Sequence, residues 1–327
     1  MASGMAKVVS LPFLHELRDF ADLIEVVSAT QQVAPTLVEK DYWIMHCLWG
    51  LQAQGFAYEL KGGTSLSKGF GVIHRFSEDI DIHITPPKDL RVLAGRNHNK
   101  PAHVASRARF YDALAAQIAI PGIVGVRRDT AFDDVRQLRS AGIRLEYETR
   151  FAKLTGVKEG VLLELGFDDT APNRAVDISS WAWDAAQAAG LASPRVVDNR
   201  AKAVLCYLPG YTFVEKLQTL STKYRTLDVA RPLPANFLRH YYDLYCLLAL
   251  PEVQDFIGSS QYTARKKQRF RQGDELRIAI NPAFTLPNPT QRQQFSQSFT
   301  KTAALYYQGQ PSFDEILDRI KQFLPVL

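Results

Sequence analysis

Apolar residues recur three or four positions apart at Leu37, Tyr42, Ile44, Met45, Leu48 and Leu51, which predicts a helix over Thr36 to Gln54. This reading puts Glu39 and Asp41 in its first turn, where the helix dipole favours anions. Ala57 to Leu60 reads as a short strand that runs into Lys61-Gly62-Gly63-Thr64-Ser65, with a short helix over Leu66 to Gly71. The period then becomes two. Ile80, Ile82 and Ile84 alternate with Asp79, Asp81 and His83, the pattern of a strand with one apolar and one polar face, and Pro86-Pro87 stops it. His103 to Ala119 carries helical spacing through Phe110, Leu114 and Ile118. Ile143 to Thr149 and Val161 to Phe167 predict two more strands, joined by a hairpin-like connection through Gly156 and Gly160. Ala171 to Ser193, with Trp181 and Trp183, has no decisive period. Beyond residue 200 the texture is helical, over Phe213 to Tyr224, Asn236 to Leu250, Gln291 to Tyr307 and Phe313 to Phe323. Strand signals early and helix signals late predict an α+β lobe, residues 1–200, followed by a mainly helical lobe, residues 201–327.

Two lobes suit a chain of 327 residues, which exceeds the size of most single cores. A hydrophobic fraction of 46% and a charged fraction of 22% are ordinary for a globular protein. No run of apolar residues is long enough to span a bilayer, and the segment up to Met5 lacks the basic and apolar regions of a signal peptide. Cys47, Cys206 and Cys246 stand far apart among apolar neighbours, without metal-ligand spacing, so buried thiols in a reducing, cytoplasmic setting are expected. The net charge of +5 is compatible with nucleic acid or phosphorylated ligands. Five cations fall between Arg265 and Arg271, either a solvated face or a surface that tracks phosphates, with Arg127-Arg128 as a second such candidate.

The candidate chemistry begins at Asp79-Ile80-Asp81. On a strand these two carboxylates share a face, roughly 6–7 Å apart along the chain, and repel each other unless a cation sits between them. Mg²⁺ suits such a pair, because it takes hard oxygen ligands and keeps positions open for water and phosphate. Upstream, the paired Gly62 and Gly63 allow close backbone approach to a phosphate, and Thr64 and Ser65 add hydroxyls; an ordinary strand-to-helix turn is the alternative. A third carboxylate from a neighbouring strand would let two ions be bridged. Glu164, a lone charge inside Leu162-Leu163-Glu164-Leu165, is the choice, with Glu146 and Glu148 as competitors and a plain ion pair as the alternative for each. Lys68 and Arg75 are candidate phosphate contacts or solvated side chains, and His74 and His83 read as structural.

Lys61-Gly62-Gly63-Thr64-Ser65-Leu66, followed by Arg75-Phe76-Ser77-Glu78-Asp79-Ile80-Asp81, resembles the first motif of the AbiEii/AbiGii-type nucleotidyltransferase toxins. Val38-Glu39-Lys40-Asp41-Tyr42-Trp43 is similar to the helix that precedes it in that family. Phe213-Val214-Glu215-Lys216-Leu217 resembles its Glu-Lys-Leu motif, and Arg239-His240-Tyr241-Tyr242-Asp243-Leu244-Tyr245 its last one, where His240 stands at a position often held by Asp. The match runs from residue 36 to about 250. The resemblance implies a polymerase-beta-like nucleotidyltransferase lobe with a mixed β-sheet flanked by helices, completed by the helical C-terminal lobe. It implies a toxin of a toxin–antitoxin or phage-defence pair, with a nucleoside triphosphate as substrate and a cognate antitoxin as partner. Carried over, Gly62, Gly63, Thr64 and Ser65 hold phosphates, Asp79 and Asp81 hold metal, and Lys216 neutralises the triphosphate; adding Glu164 as the third carboxylate and Lys68 as a further phosphate contact, both chosen from the residues, gives a site for two Mg²⁺ ions. Asp243 is a base or an orienter of Lys216. Read from the residues alone, Lys216 could equally snorkel from its helix, and Asp243 could be a core acid bonded to tyrosine or paired with Arg239 or Lys216. The expected reaction is transfer of a nucleoside monophosphate to an RNA acceptor such as the 3′ end of tRNA. The rivals are a triphosphate-binding toxin or sensor, an enzyme that modifies a protein, and a binding module with a vestigial catalytic face.

Overall fold

The computed structural model describes residues 11–95, 97–154, 157–192, 194–228, 233–234 and 236–327. Gly156, Ser193 and the segment up to Met5, all named above, lie outside these residues. The predicted helix over Thr36 to Gln54 runs Pro35–Ala53. Proline opens it because its fixed φ suits a first helical residue and its missing N–H would have had no partner there. Starting at Pro35, the helix carries Glu39 and Asp41 in its second turn, so the dipole argument for these acids does not hold. Both are fully buried and tied instead. Glu39 accepts from the Thr149 hydroxyl at 2.5 Å and the Arg150 amide at 3.0 Å, and Asp41 accepts from the Trp181 amide at 2.8 Å.

Seven strands are present among the described residues: β1 (Tyr58–Lys61), β2 (Asp79–Ile84), β3 (Ile123–Arg128), β4 (Ser140–Tyr147), β5 (Val161–Gly166), β6 (Asn173–Ile178) and β7 (Ala201–Tyr207). The segment Ala171 to Ser193, without a clear period in sequence, contains β6 and the helix Trp181–Ala188. The chain forms two compact units. One comprises residues 1–58, 78–168 and 176–204, the other residues 59–77, 169–175 and 205–327. The division expected from sequence was a single break after residue 200.

In the first unit the strands lie in the order β3-β4-β5-β2, with β2 parallel to β5 and the other pairs antiparallel, so the sheet is mixed and the fold is α+β. Ile80, Ile82 and Ile84 of β2 lie on one face with Leu163 and Leu165 of β5 and Ile143 and Leu145 of β4. All are buried. Helices cover this face: Trp43 of Pro35–Ala53 stacks on Tyr147 at 4.8 Å, and Tyr111 of Pro101–Gln117 lies beneath the Arg128 guanidinium. The opposite face carries Asp79, Asp81, Glu164 and Arg144.

In the second unit β1 pairs parallel with β7, Glu59 opposite Leu205 and Leu60 opposite Cys206. The rest is helical, and its core gathers Phe213, Leu217, Tyr241, Phe284, Phe295 and Ile316. The last long helix, Phe313–Phe323, coincides with its sequence prediction because Ser312 and Glu315 form a reciprocal cap at its start. Among the described residues, no helix is long and apolar enough to cross a membrane.

Candidate functional site

Two charged clusters carry the residues singled out in sequence, one in each unit. The first lies on the polar face of the mixed sheet. Alternation along β2 points Asp79 and Asp81 the same way, and the parallel register sets Glu164 of β5 directly opposite Asp81. Glu164 is therefore the neighbour of the Asp pair. Glu146, its competitor on β4, instead pairs with Arg127 at 2.7 Å at the surface. Asp79 is buried, whereas Asp81 and Glu164 are partly open.

A lysine that sequence reading passed over stands on this face. Lys158 Nζ lies 2.7 Å from Asp79 Oδ2 and 4.0 Å from Glu164 Oε1, with the Phe132 ring 4.6 Å away. Its backbone is clamped on both sides. Its amide donates to Glu78 Oε2 at 2.8 Å, and its carbonyl accepts from Lys40 Nζ, which also pairs with Glu78 at 3.2 Å. Phe132 reaches over the sheet because Gly142, opposite Glu164 in register, has no side chain. A Cβ there would stand 2.9 Å from the Phe132 Cβ and 2.6 Å from the Asp129 carbonyl. Arg144, salt-bridged to Asp129, flanks the same ring at 5.7 Å. Burial raises the Asp79 carboxyl above its ordinary range, and the Lys158 ammonium opposes that rise. Nothing local in Lys158-Glu159-Gly160 signals which strand the lysine side chain will cross.

The donor set consists of hard carboxylate oxygens, the chemistry that Mg²⁺ prefers. Among the described residues, no three His, Cys, Asp or Glu side chains converge closely enough to hold an ion unaided. An ion here would have to keep several waters and take further oxygens from its ligand, and the Lys158 ammonium lies between Asp79 and Glu164.

The second cluster belongs to the other unit. Gly62 and Gly63 form the first helical turn themselves, Gly62–Thr64, which continues as a wider π-type turn over Ser65–Gly69. Gly62 has φ +74°, a conformation that favours glycine, and a Cβ on Gly63 would strike the Ser77 hydroxyl and the Arg75 guanidinium. Thr64 and Ser65 are buried, with the Thr64 hydroxyl 3.2 Å from that of Ser77, while Lys68 is half-buried.

Arg75, read from sequence as a phosphate contact or a solvated cation, is neither of these. It is buried and grips Asp243 through two nitrogens, at 2.7 and 2.8 Å. Lys216 Nζ approaches the same carboxylate at 2.9 Å. So the partners of Asp243 are these two cations rather than the tyrosines flanking it in sequence. Burial would raise its pKa, but the charges of Arg75 and Lys216 outweigh it and hold the carboxyl far below the usual range. Such a carboxylate is a poor proton acceptor near neutrality, and its contacts are those of a group that orients Lys216. His240 sits between two lysines, with Nδ1 3.5 Å from Lys216 Nζ and Nε2 3.3 Å from Lys223 Nζ. Burial and these two cations push the imidazole well below its ordinary pKa, so it is neutral.

The model of one protein family, described as nucleotidyl transferase AbiEii toxin of a type IV toxin–antitoxin system, matches residues 50–319. The chain belongs to this family. Membership covers β2, β5, the glycine turn, Lys216 and Asp243 alike, and it implies a nucleotide substrate and a cognate antitoxin. No curated protein matches the chain.

The basic run is less available than its sequence suggests. Arg265 is buried against Glu215 at 2.9 Å and Asp169 at 3.5 Å, Lys266 reaches the Leu327 carbonyl at 2.5 Å, and Arg269 lies 3.8 Å from Glu215. Lys267 and Arg271 face solvent. Arg128 is likewise taken up by Asp112 and Asp133.

Proposed function

We propose that this toxin is a Mg²⁺-dependent nucleotidyltransferase that moves a nucleoside monophosphate from a triphosphate to an RNA hydroxyl, with the 3′ end of tRNA as the candidate acceptor. The observation that carries the reading is the shared face of Asp79, Asp81 and Glu164, fixed by strand alternation and by the register of Asp81 against Glu164. In this reading the mixed sheet and its helices are the nucleotidyltransferase lobe, and the helical part of the chain is its companion. Asp79, Asp81 and Glu164 would hold the divalent ions, which supply charge neutralisation and orientation of phosphate oxygens when bound. The chain's own contribution is placement. Asp79 is buried and paired with Lys158, Asp81 and Glu164 are more open and would meet the ligand, and Arg144 with Phe132 flanks the face. Lys216, held by Asp243, supplies a fixed positive charge to an anionic ligand. The acceptor hydroxyl attacks the α-phosphorus and gives its proton to solvent, while the bond to the bridging oxygen breaks and its electron pair leaves with pyrophosphate. Positioning and electrostatics, rather than a strong protein base, account for the rate.

The test is to incubate the protein with each α-labelled triphosphate, Mg²⁺ and total RNA, and to follow the label. RNA labelled by wild type and not by Asp79→Asn or Asp81→Asn is the expected result. Label on protein would replace the acceptor. Wild-type incorporation by Asp81→Asn would overturn the site.

A further inference from the structure

Lys158 places a cation, at the end of a flexible stem, on a carboxylate face that the proposed function assigns to divalent ions. Its peptide is immobilised by Glu78 and Lys40, but four rotatable bonds separate that peptide from the ammonium, so the charge can leave without moving the backbone. The geometry points to Lys158 as a resident counter-cation that neutralises Asp79 and Glu164 before loading, and must swing away when a divalent ion takes their oxygens. This inference rests on the ion site proposed above.

Three features support it. The ammonium meets the two carboxylates unequally, at 2.7 Å from Asp79 and 4.0 Å from Glu164, so it bridges the pair without closing on both. It is only 23% exposed, so its charge is poorly screened there. And the Phe132 ring at 4.6 Å offers the cation a second favourable surface, which stabilises the docked position when no ion is bound. A lysine suits such a role better than an arginine, because its single charge centre on a flexible stem lacks the forked grip that would lock it onto a carboxylate. Lys158 therefore lowers the affinity of the face for free divalent ions. Once displaced, it is an unpaired cation beside the site, suited to an anionic ligand that arrives with the ion.

The experiment measures Mn²⁺ binding to the full chain by electron paramagnetic resonance, without nucleotide, for wild type, Lys158→Met, Lys158→Arg and the Lys158→Met/Asp81→Asn double variant. Thermal unfolding in EDTA and in Mn²⁺ runs alongside. Lys158→Met is expected to bind Mn²⁺ at least about tenfold more tightly, since a neighbouring like charge has been removed. Lys158→Arg, which keeps the charge and adds a forked grip on the carboxylates, is expected to bind no more tightly than wild type, and the double variant to lose binding. Lys158→Met should also melt lower than wild type in EDTA and recover with Mn²⁺. Unchanged or weaker binding by Lys158→Met, with Asp81→Asn still abolishing it, overturns the counter-cation role and leaves the ion site standing. Absence of Mn²⁺ binding in every form, or binding that survives Asp81→Asn, overturns the ion site and this inference together. Should Lys158→Met fail to fold, Lys158→Gln removes the same charge and is read in the same way.

Discussion

Asp243 holds two cations at once, and the consequence is largest for Arg75. With Asp243 changed to Asn, a fully buried guanidinium loses its counter-charge and one of its two hydrogen bonds, because the amide nitrogen is itself a donor. Breaking a buried pair from one side costs about 3–5 kcal/mol, so Asp243→Asn is expected to lower unfolding free energy in urea by that order. His240 yields a pH prediction. In the unfolded chain its imidazole takes a proton below about pH 6.5, while in the folded chain it stays neutral, so the unfolded state binds more protons there. Stability therefore falls as pH drops below 6.5, by up to about 1.4 kcal/mol per pH unit for this group. His15 and His46, lowered to about 4 by burial, add to the same slope. Unfolding free energy measured from pH 7.5 to 5 should show His240→Asn with a slope shallower by about one proton; an unchanged slope would mean that His240 is protonated in the fold. Sequence singled out Asp79, Asp81 and Glu164 by type and spacing, and Lys216 and Asp243 through the family resemblance. It missed Lys158 and misread Arg75, because a cation's partner across 79 or 168 positions leaves no local trace.

Helix periods were legible where one face is buried, as in Pro35–Ala53 and Phe313–Phe323, and the edges were less so. Among the described residues six helices begin with proline, at residues 35, 101, 209, 251, 282 and 289, and that signal marks their starts better than the first apolar residue does. Strands β3, β6 and β7 escaped notice: Gly125 interrupts the first, Asn173, Arg174 and Asp177 make the second largely polar, and the third lies beyond residue 200, where the texture read as helical. The helix Ser260–Arg269 shows how a basic run divides by face. Arg265 faces inward to Glu215, and Lys267 looks outward. Lys267→Ala with Arg271→Ala is expected to leave the melting temperature unchanged and to reduce the salt slope of RNA binding by about two. Arg265→Ala, in contrast, is expected to lower the melting temperature by leaving Glu215 with a weaker partner. RNA binding that ignores the double variant would remove this helix from the acceptor surface.

At the scale of the molecule, early strands and late helices gave the fold class, and the ordered motifs gave the family. The chain's exchanges between units did not show, because 59–77 and 169–175 join residues far along the sequence while reading locally like their neighbours. Nor can one sequence reveal that β5 sets Glu164 rather than a leucine opposite Asp81, since register is decided by the whole sheet. The account stands on nucleotidyl transfer at that carboxylate face. Pyrophosphate release from each triphosphate, in the presence of Mg²⁺ and RNA, measures it most directly. Wild-type protein is expected to release pyrophosphate in step with label gained by RNA, and Asp81→Asn to release none above background. Equal release by the two proteins, or release by neither, would contradict it.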